Sequence, residues 1–315
     1  MAVLFLANNL ADVVGSNLVP ATSGFDKTLM TSAIATASRS GVINIVFDTE
    51  QQEIWHRFRL TTSKGGNAYV VETAIQVYDN GNRELMRMER PGNSQDNRML
   101  VYGDTTQFGG YNAFPLDVFL DIHIKFTATH MEIQYFQNGT LVESFNTPKG
   151  TKTGIKRIVM TPACHYNAPS TVVISEMMTL TTSTLGLRLA SLDVASQGDL
   201  TGMVGDVMDL NTFGDGLGLV TNAPNQRRSW NPTAYGGAAR PISAVVQTMV
   251  AERAGGSPSV LAAFIRKDGL NYDGSNKAIG SYTQAMQVWE TNPVNGLPWD
   301  TDDLAGLQFG VKSGV

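Results

Sequence analysis

The run from Val118 to Phe126 constrains this chain most: Leu120, Ile122, Ile124 and Phe126 alternate there with Asp121, His123 and Lys125. Successive side chains leave a strand on opposite faces, so a period of two with one apolar face reads as a half-buried antiparallel strand. Met131, Ile133 and Tyr135 repeat the pattern after a short turn. Asn138-Gly139 then supplies the positive φ values of a two-residue hairpin, and Leu141 to Phe145 is the return strand. Further strands are predicted at Val42 to Asp48, Ile54 to Thr61, Ala68 to Tyr78, Glu84 to Arg90, Met99 to Tyr102, Ile155 to Thr161 and Val172 to Thr179. Many short strands separated by Gly, Asn and Pro describe an antiparallel sandwich or jelly roll. Leu29 to Ala37 has a helical reading, but it is short and rich in Thr and Ser.

A chain of 315 residues is better served by two cores of ordinary size than by one enlarged core. The first domain is predicted over residues 1–195. The segment Ser196 to Tyr235 is crowded with Gly, Asp, Asn and Pro, and reads as a linker or as the irregular opening of a second domain over residues 196–315. Alternation resumes at Ile242 to Val250 and at Tyr282 to Val288, and Leu261 to Arg266 forms a strand before an Asp268-Gly269 turn. Asp300 or Thr301 would cap a short C-terminal helix reaching Leu307, with Asp302 and Asp303 favouring its dipole. The expected fold is all-β: two antiparallel β-sandwich domains and that short helix.

Composition narrows the function. Charged residues make up 16%, against roughly 25% in an average soluble protein. The net charge of -5 is dispersed without a basic run, which argues against nucleic acid as a partner. No stretch approaches the roughly 20 apolar residues of a membrane span, and the apolar run Met1 to Leu6 lacks the preceding basic residues of a secretory signal. The single cysteine, Cys164, excludes an intramolecular disulfide.

The stretch Gln287 to Lys312, QVWETNPVNGLPWDTDDLAGLQFGVK, resembles the C-terminal signature of a family of tailed-bacteriophage virion structural proteins. Its matching residues are Glu290, Asn292, Pro293, Gly296, Trp299, Leu307, Gly310, Val311 and Lys312. Val204-Gly205-Asp206-Val207 is similar to the strand that opens the family's second domain, and Trp230 to a Trp in the loop that follows. The first half is similar in strand pattern to the concanavalin A-like or laminin G-like jelly rolls that precede this segment. The resemblance covers about the last 110 residues by motif. It implies a phage virion structural protein, a fibre, decoration or tail-tip component, that works through oligomeric assembly with itself, as a trimer, and with other virion proteins. Independently of the family, Asn292, Pro293 and Gly296 read as a structural turn that Trp299 covers: Pro293 ends the strand ladder and Gly296 permits a left-handed residue.

The residues offer no catalytic constellation at the required spacing. Glycoside hydrolysis needs paired carboxylates facing one cleft, whereas Glu132 and Glu176 stand alone on their strands and read as solvent-facing. His56, His123, His130 and His165 lack metal spacing and read as exposed or strand-surface residues; Gly214 to Gly218 reads as a turn. The expectation is therefore no enzyme and no cofactor, with calcium the one ion considered: Asp206, Asp209 and Asp215, with Asn211, crowd oxygen ligands into a short span, and Asp79 to Asn82 is another oxygen-rich turn. Binding of host-surface glycan is the alternative function. Trp55, Tyr102, Phe108 and Tyr111 are its candidate residues, since the Gly-rich run Thr105 to Phe114 would expose rings for sugar stacking.

Overall fold

The computed structural model describes residues 2–8, 10–36, 41–62, 71–89, 97–112, 115, 117–164, 172–212, 217–255 and 258–314. It is almost entirely β. Among the described residues the only helical turns are three short 3-10 segments, Leu10–Asp12, Val207–Asn211 and Asp302–Leu304, and no helix is long and apolar enough to cross a membrane. The chain divides into two compact units, Met1–Leu189 and Ala190–Val315.

The first unit is a sandwich of two antiparallel sheets. Sheet one orders its strands Thr140–Pro148, His130–Gln137, Asp117–Phe126, Glu53–Thr62, Val172–Leu180, Ala33–Thr36 and Leu18–Ala21, and Val3–Ala7 also pairs with Val172–Leu180. Sheet two runs Thr106–Phe108, Arg98–Tyr102, Glu84–Glu89, Val71–Tyr78, Ile155–Cys164, Val42–Gln51 and Val14–Ser16. Alternate residues of both sheets share one core: Ile54, Phe58, Leu60, Leu120, Ile122 and Ile124 meet Ile43, Ile45, Ile75, Val77, Met86 and Ile158. Each such side chain contributes roughly 1.5–3 kcal/mol by leaving water. The hairpin turn has the expected form, with Asn138 at φ 49, Gly139 at φ 79 and Gln137 opposite Thr140.

One segment departs from its helical reading. Asp26 accepts hydrogen bonds from the Thr28 N–H and hydroxyl in a tight turn, and Ala33–Thr36 then enters sheet one as a fully buried strand between Leu18–Ala21 and Val172–Leu180. A slot between two strands requires extended backbone to complete both ladders, and this overrides the local preference of a short segment.

The second unit has one six-stranded sheet, ordered Val194–Thr201, Arg227–Pro232, Gln308–Gly314, Val260–Lys267 and Leu270–Asp273, with Lys277–Ala278 also pairing with Val260–Lys267. Its second layer is a single antiparallel pair, Val245–Ala251 with Thr283–Trp289. Met249 and Trp289 from the pair pack with Ala263, Ile265 and Phe309 from the sheet, and Trp299 and Leu307 complete the cluster. A Cβ at Gly310 would lie 2.2 Å from Phe264 Cζ on the neighbouring strand, and the Gly310 carbonyl accepts from Gln247 Nε2 at 3.1 Å, tying the pair to the sheet.

Three expectations for this unit are corrected. The polar segment Ser196 to Tyr235 contributes two strands of the sheet, held through bulges and side chains; Asn211 bonds both the N–H and the C=O of Val194. Val204 forms only an isolated bridge to Val220, and Asp206 caps a 3-10 turn where the resemblance implied a strand. The C-terminal helix is one 3-10 turn, Asp302–Leu304, capped by the Asp300 carboxylate, which accepts from the N–H groups of Asp302 and Asp303. Gly306 at φ 69 then turns the chain away before a second helical turn can form.

Candidate functional site

Phe108 and Tyr111 lie together at one edge of the first sandwich, 61% and 57% exposed. Phe108 pairs with Leu100 in the edge ladder of sheet two, and the Arg98 guanidinium lies 5.2 Å from the Phe108 ring centre and 6.0 Å from that of Tyr111. Tyr102 is on the same strand as Arg98, half-buried, and burial raises its phenol pKa. Trp55 is elsewhere, on the outer face of sheet one, stacked on His123 at 4.1 Å and tilted against Phe136. Three of the four aromatic candidates thus share one edge.

Behind Phe108 and Tyr111 a slot opens between the sheets, lined by Met88, Asn97, Arg98, Met99, Asn112, Tyr135 and Glu143. A β-bulge between Tyr135 and Phe136 sets Glu143 opposite Tyr135. There Glu143 Oε1 accepts from the Gly110 N–H at 2.6 Å and from Asn112 Nδ2 at 3.0 Å. A Cβ at Gly109 would lie 2.1 Å from Glu143 Oε2, so a side chain there would displace the carboxylate. Asn97 and Asn112 exchange both backbone hydrogen bonds, at 2.9 and 2.7 Å, which fixes Asn97 in the lining. Asn97 is 1% exposed, yet neither atom of its amide has a partner; Glu143 Oε2 and Arg98 Nε are likewise buried and unpartnered. A buried polar group without a partner costs about 1–3 kcal/mol, and the slot beside these atoms has room for about one water. Burial raises the phenol pKa of Tyr135, keeping it a neutral wall of the slot.

The sequence missed Asn97, Arg98, Asn112 and Glu143. Glu143 carried a signal: Leu141, Glu143 and Phe145 fall on one face of a strand by period two, placing a carboxylate among apolar neighbours.

The other candidates do different work. Glu176 is not solvent-facing. A bulge at φ 51 turns it into a fully buried position, where its carboxylate accepts from Arg188 Nε at 2.6 Å and Nη2 at 2.8 Å and from the Leu189 N–H at 3.3 Å. Beside it the Asp121 carboxylate, on the nominally polar face of its strand, is also buried and accepts from Arg57 at 2.7 Å and Thr184 at 2.6 Å. Arg57, Arg59 and Arg188 all lie over the Phe119 ring. This clasp fastens residues 184–189 over sheet one. Glu132 remains half-exposed on its own strand. His56 is not a surface histidine: it is buried beside Phe58, shares a 2.9 Å hydrogen bond with Thr179 through Nδ1, and desolvation lowers its pKa to about 3. His123 is on the polar face, bonded to Glu53 and Gln134, and His165 lies outside the described residues.

Of the calcium candidates, the exposed Asp206 caps the Val207–Asn211 turn by accepting from the Met208 N–H at 2.9 Å, Asp209 is half-exposed within that turn, and Asp215 lies outside the described residues. Asp79 is buried and accepts from the Gly81 and Arg83 N–H groups and from Arg83 Nε at 2.7 Å, so its oxygens are committed to the turn. Among the described residues no three His, Cys, Asp or Glu side chains gather to hold an ion. The turn residues sit together in the second unit. Asn292 is buried, its carbonyl accepts from the Gly296 N–H and its side chain from the Val294 N–H; Pro293 follows it, and Gly296 has φ 74. Trp299, 1% exposed, donates from Nε1 to the Trp289 carbonyl at 2.9 Å.

No protein-family model matches the chain, and no curated protein matches it in sequence. Solved structures resemble it remotely. A sialidase is 15% identical over 58% of this chain with a TM-score of 0.37, and the chain spans only 19% of that protein. A carbohydrate esterase from Shiga toxin-encoding bacteriophage phi24B is 13% identical over 58% of this chain and 99% of its own, with a TM-score of 0.39. A botulinum neurotoxin type C structure, described as entering cells through interaction with two ganglioside molecules, is 11% identical over 99% of this chain and 93% of its own, with a TM-score of 0.39. Likenesses this remote assign no activity or ligand to the chain.

Proposed function

We propose that this protein is a non-enzymatic carbohydrate-recognition module that binds at the Phe108 and Tyr111 edge of its first sandwich. One observation carries the reading: Phe108 and Tyr111 stand exposed together at one sheet edge, with the Arg98 guanidinium close to both rings. A sugar presents an apolar C–H face that stacks on such rings and a polar rim that supplies hydrogen bonds. Binding without reaction fits the lining, because glycoside hydrolysis uses two carboxylates and Glu143 is the one carboxylate among the described lining residues. The test is a glycan array probed with the full chain, with and without chelator. Selective binding that survives the chelator is expected, and Phe108→Ala with Tyr111→Ala should weaken it at least tenfold. Silence of the unmodified chain on every glycan overturns the reading.

The setting we propose is a bacteriophage particle, on the strength of the Gln287 to Lys312 segment, which resembles the terminal domain of virion structural proteins. Assembly into a trimer, alongside other virion proteins, would present several such edges at once and turn weak single-site affinity into avidity toward a host surface. Mass spectrometry of purified particles tests this, and absence of the chain from them defeats it.

A further inference from the structure

Among the described residues the second layer of the second unit has two strands, so Val245–Ala251 and Thr283–Trp289 each keep one unpaired edge. Resting on the proposed assembly, we infer that copies of this chain join through these edges: Val245–Ala251 of one copy pairs with Thr283–Trp289 of the next, head to tail, in a closed ring.

An unpaired edge offers a row of N–H and C=O groups to any other strand, and proteins blunt such edges with charge, proline, bulges or short length. The other described edges of this chain are blunted. Val14–Ser16 and Thr106–Phe108 have three residues each, and Leu18–Ala21 has four with Pro20 among them. Val3–Ala7 is bulged between Val3 and Phe5, and Thr140–Pro148 carries Glu143 and Pro148. In the six-stranded sheet, Val194–Thr201 has two register shifts and Asp199, Leu270–Asp273 has four residues ending in a carboxylate, and Lys277–Ala278 has two. The pair differs on every count. Its strands have seven residues each, VVQTMVA and TQAMQVW, without a charge or a proline, and their register runs without a bulge. Thr248 and Val250 are exposed. On a chain of net charge -5, two copies can meet here with no like charges opposed across the new ladder. The fitting partner strand is in the molecule itself, because the two edges match in length and neutrality and lie on opposite sides of one antiparallel pair. Twofold pairing of like edges would leave the second edge of every copy bare. Head-to-tail pairing uses both, keeps the antiparallel alternation, and joins the pairs of a trimer into one continuous layer.

The experiment is sedimentation velocity on a dilution series of the full chain, with amide hydrogen exchange followed by mass spectrometry on the same samples. The unmodified chain should form trimers as concentration rises, and exchange should slow across that transition in Val245–Ala251 and Thr283–Trp289 but not in the bulged edge Val194–Thr201. Thr248→Lys with Val250→Lys, which gives the edge the charges that other edges carry, should weaken association about tenfold or more. Trimers that form without slowing in the two strands, or that the lysine variant forms as readily, overturn the edge assignment and leave assembly standing. Dimers with slowing in Val245–Ala251 alone overturn the head-to-tail ring. A chain that stays monomeric at every concentration removes both the edge contact and the trimer, and leaves the carbohydrate reading untouched. The exchange pattern is read on the unmodified chain, so it decides the matter even if the lysine variant does not fold.

Discussion

Two of the places where the first unit buries polar groups treat them in opposite ways. In the clasp on the outer face of sheet one, the carboxylates of Asp121 and Glu176 are fully buried and every oxygen has a protein donor. In the slot at the sandwich edge, the Asn97 amide has no partner for either atom and Glu143 has one oxygen satisfied and one not. A buried charge that is completely paired holds chain to chain; removing one partner leaves the other uncompensated. A buried polar group left open costs stability and holds nothing together. The contrast separates polar groups that hold the domain together from polar groups that do not.

The clasp should give the largest effect. Arg188→Ala strands the Glu176 carboxylate at a position with no solvent access, and a loss of about 3–5 kcal/mol in unfolding free energy by urea titration is expected. Replacing both partners with apolar residues of similar volume should cost far less than the single change. Equal costs would mean that the pair contributes through packing and not through charge compensation.

A second large effect comes from His56. Its folded pKa, about 3, lies below the ordinary 6.5, so the unfolded chain takes up the proton first. The stability it confers is complete above pH 6.5 and is lost as the pH falls from there toward 3. Between pH 7 and pH 4.5 the loss amounts to about 3 kcal/mol. Urea midpoints measured across that range should fall in the unmodified chain and fall much less in His56→Leu. Parallel profiles would show that the imidazole is protonated while folded.

Much of this was legible in the residues, and the failures have physical causes. Alternation marked the strands around Val118 to Phe126 because one face of that sheet is apolar, and Asn138-Gly139 and Asp268-Gly269 marked hairpins because both positions need positive φ. Ala33–Thr36 carried no alternation, being buried on both faces. Val194–Thr201 carried none either: it is a bulged strand whose polar side chains, Gln197 among them, bond backbone groups directly. The Gly-rich run pointed to Phe108 and Tyr111. It could not point to Asn97, which follows a polar stretch that reads as loop and becomes buried only through its pairing with the distant Asn112. Nor did the spacing of Glu176 show that a bulge would turn it inward toward Arg188.

The smallest effect sets the two regions side by side most directly. Thr184→Ala removes the donor to Asp121 Oδ1, a buried acceptor with no water to replace it, and should cost about 1–3 kcal/mol. Asn97→Ala removes a side chain just as buried, but one with no protein hydrogen bond to lose. Relief from burying an unpaired amide offsets the small void left behind, so the change in unfolding free energy should stay within about 1 kcal/mol. If Asn97→Ala instead destabilises as much as Thr184→Ala, the amide is part of the scaffold and the distinction between clasp and slot collapses.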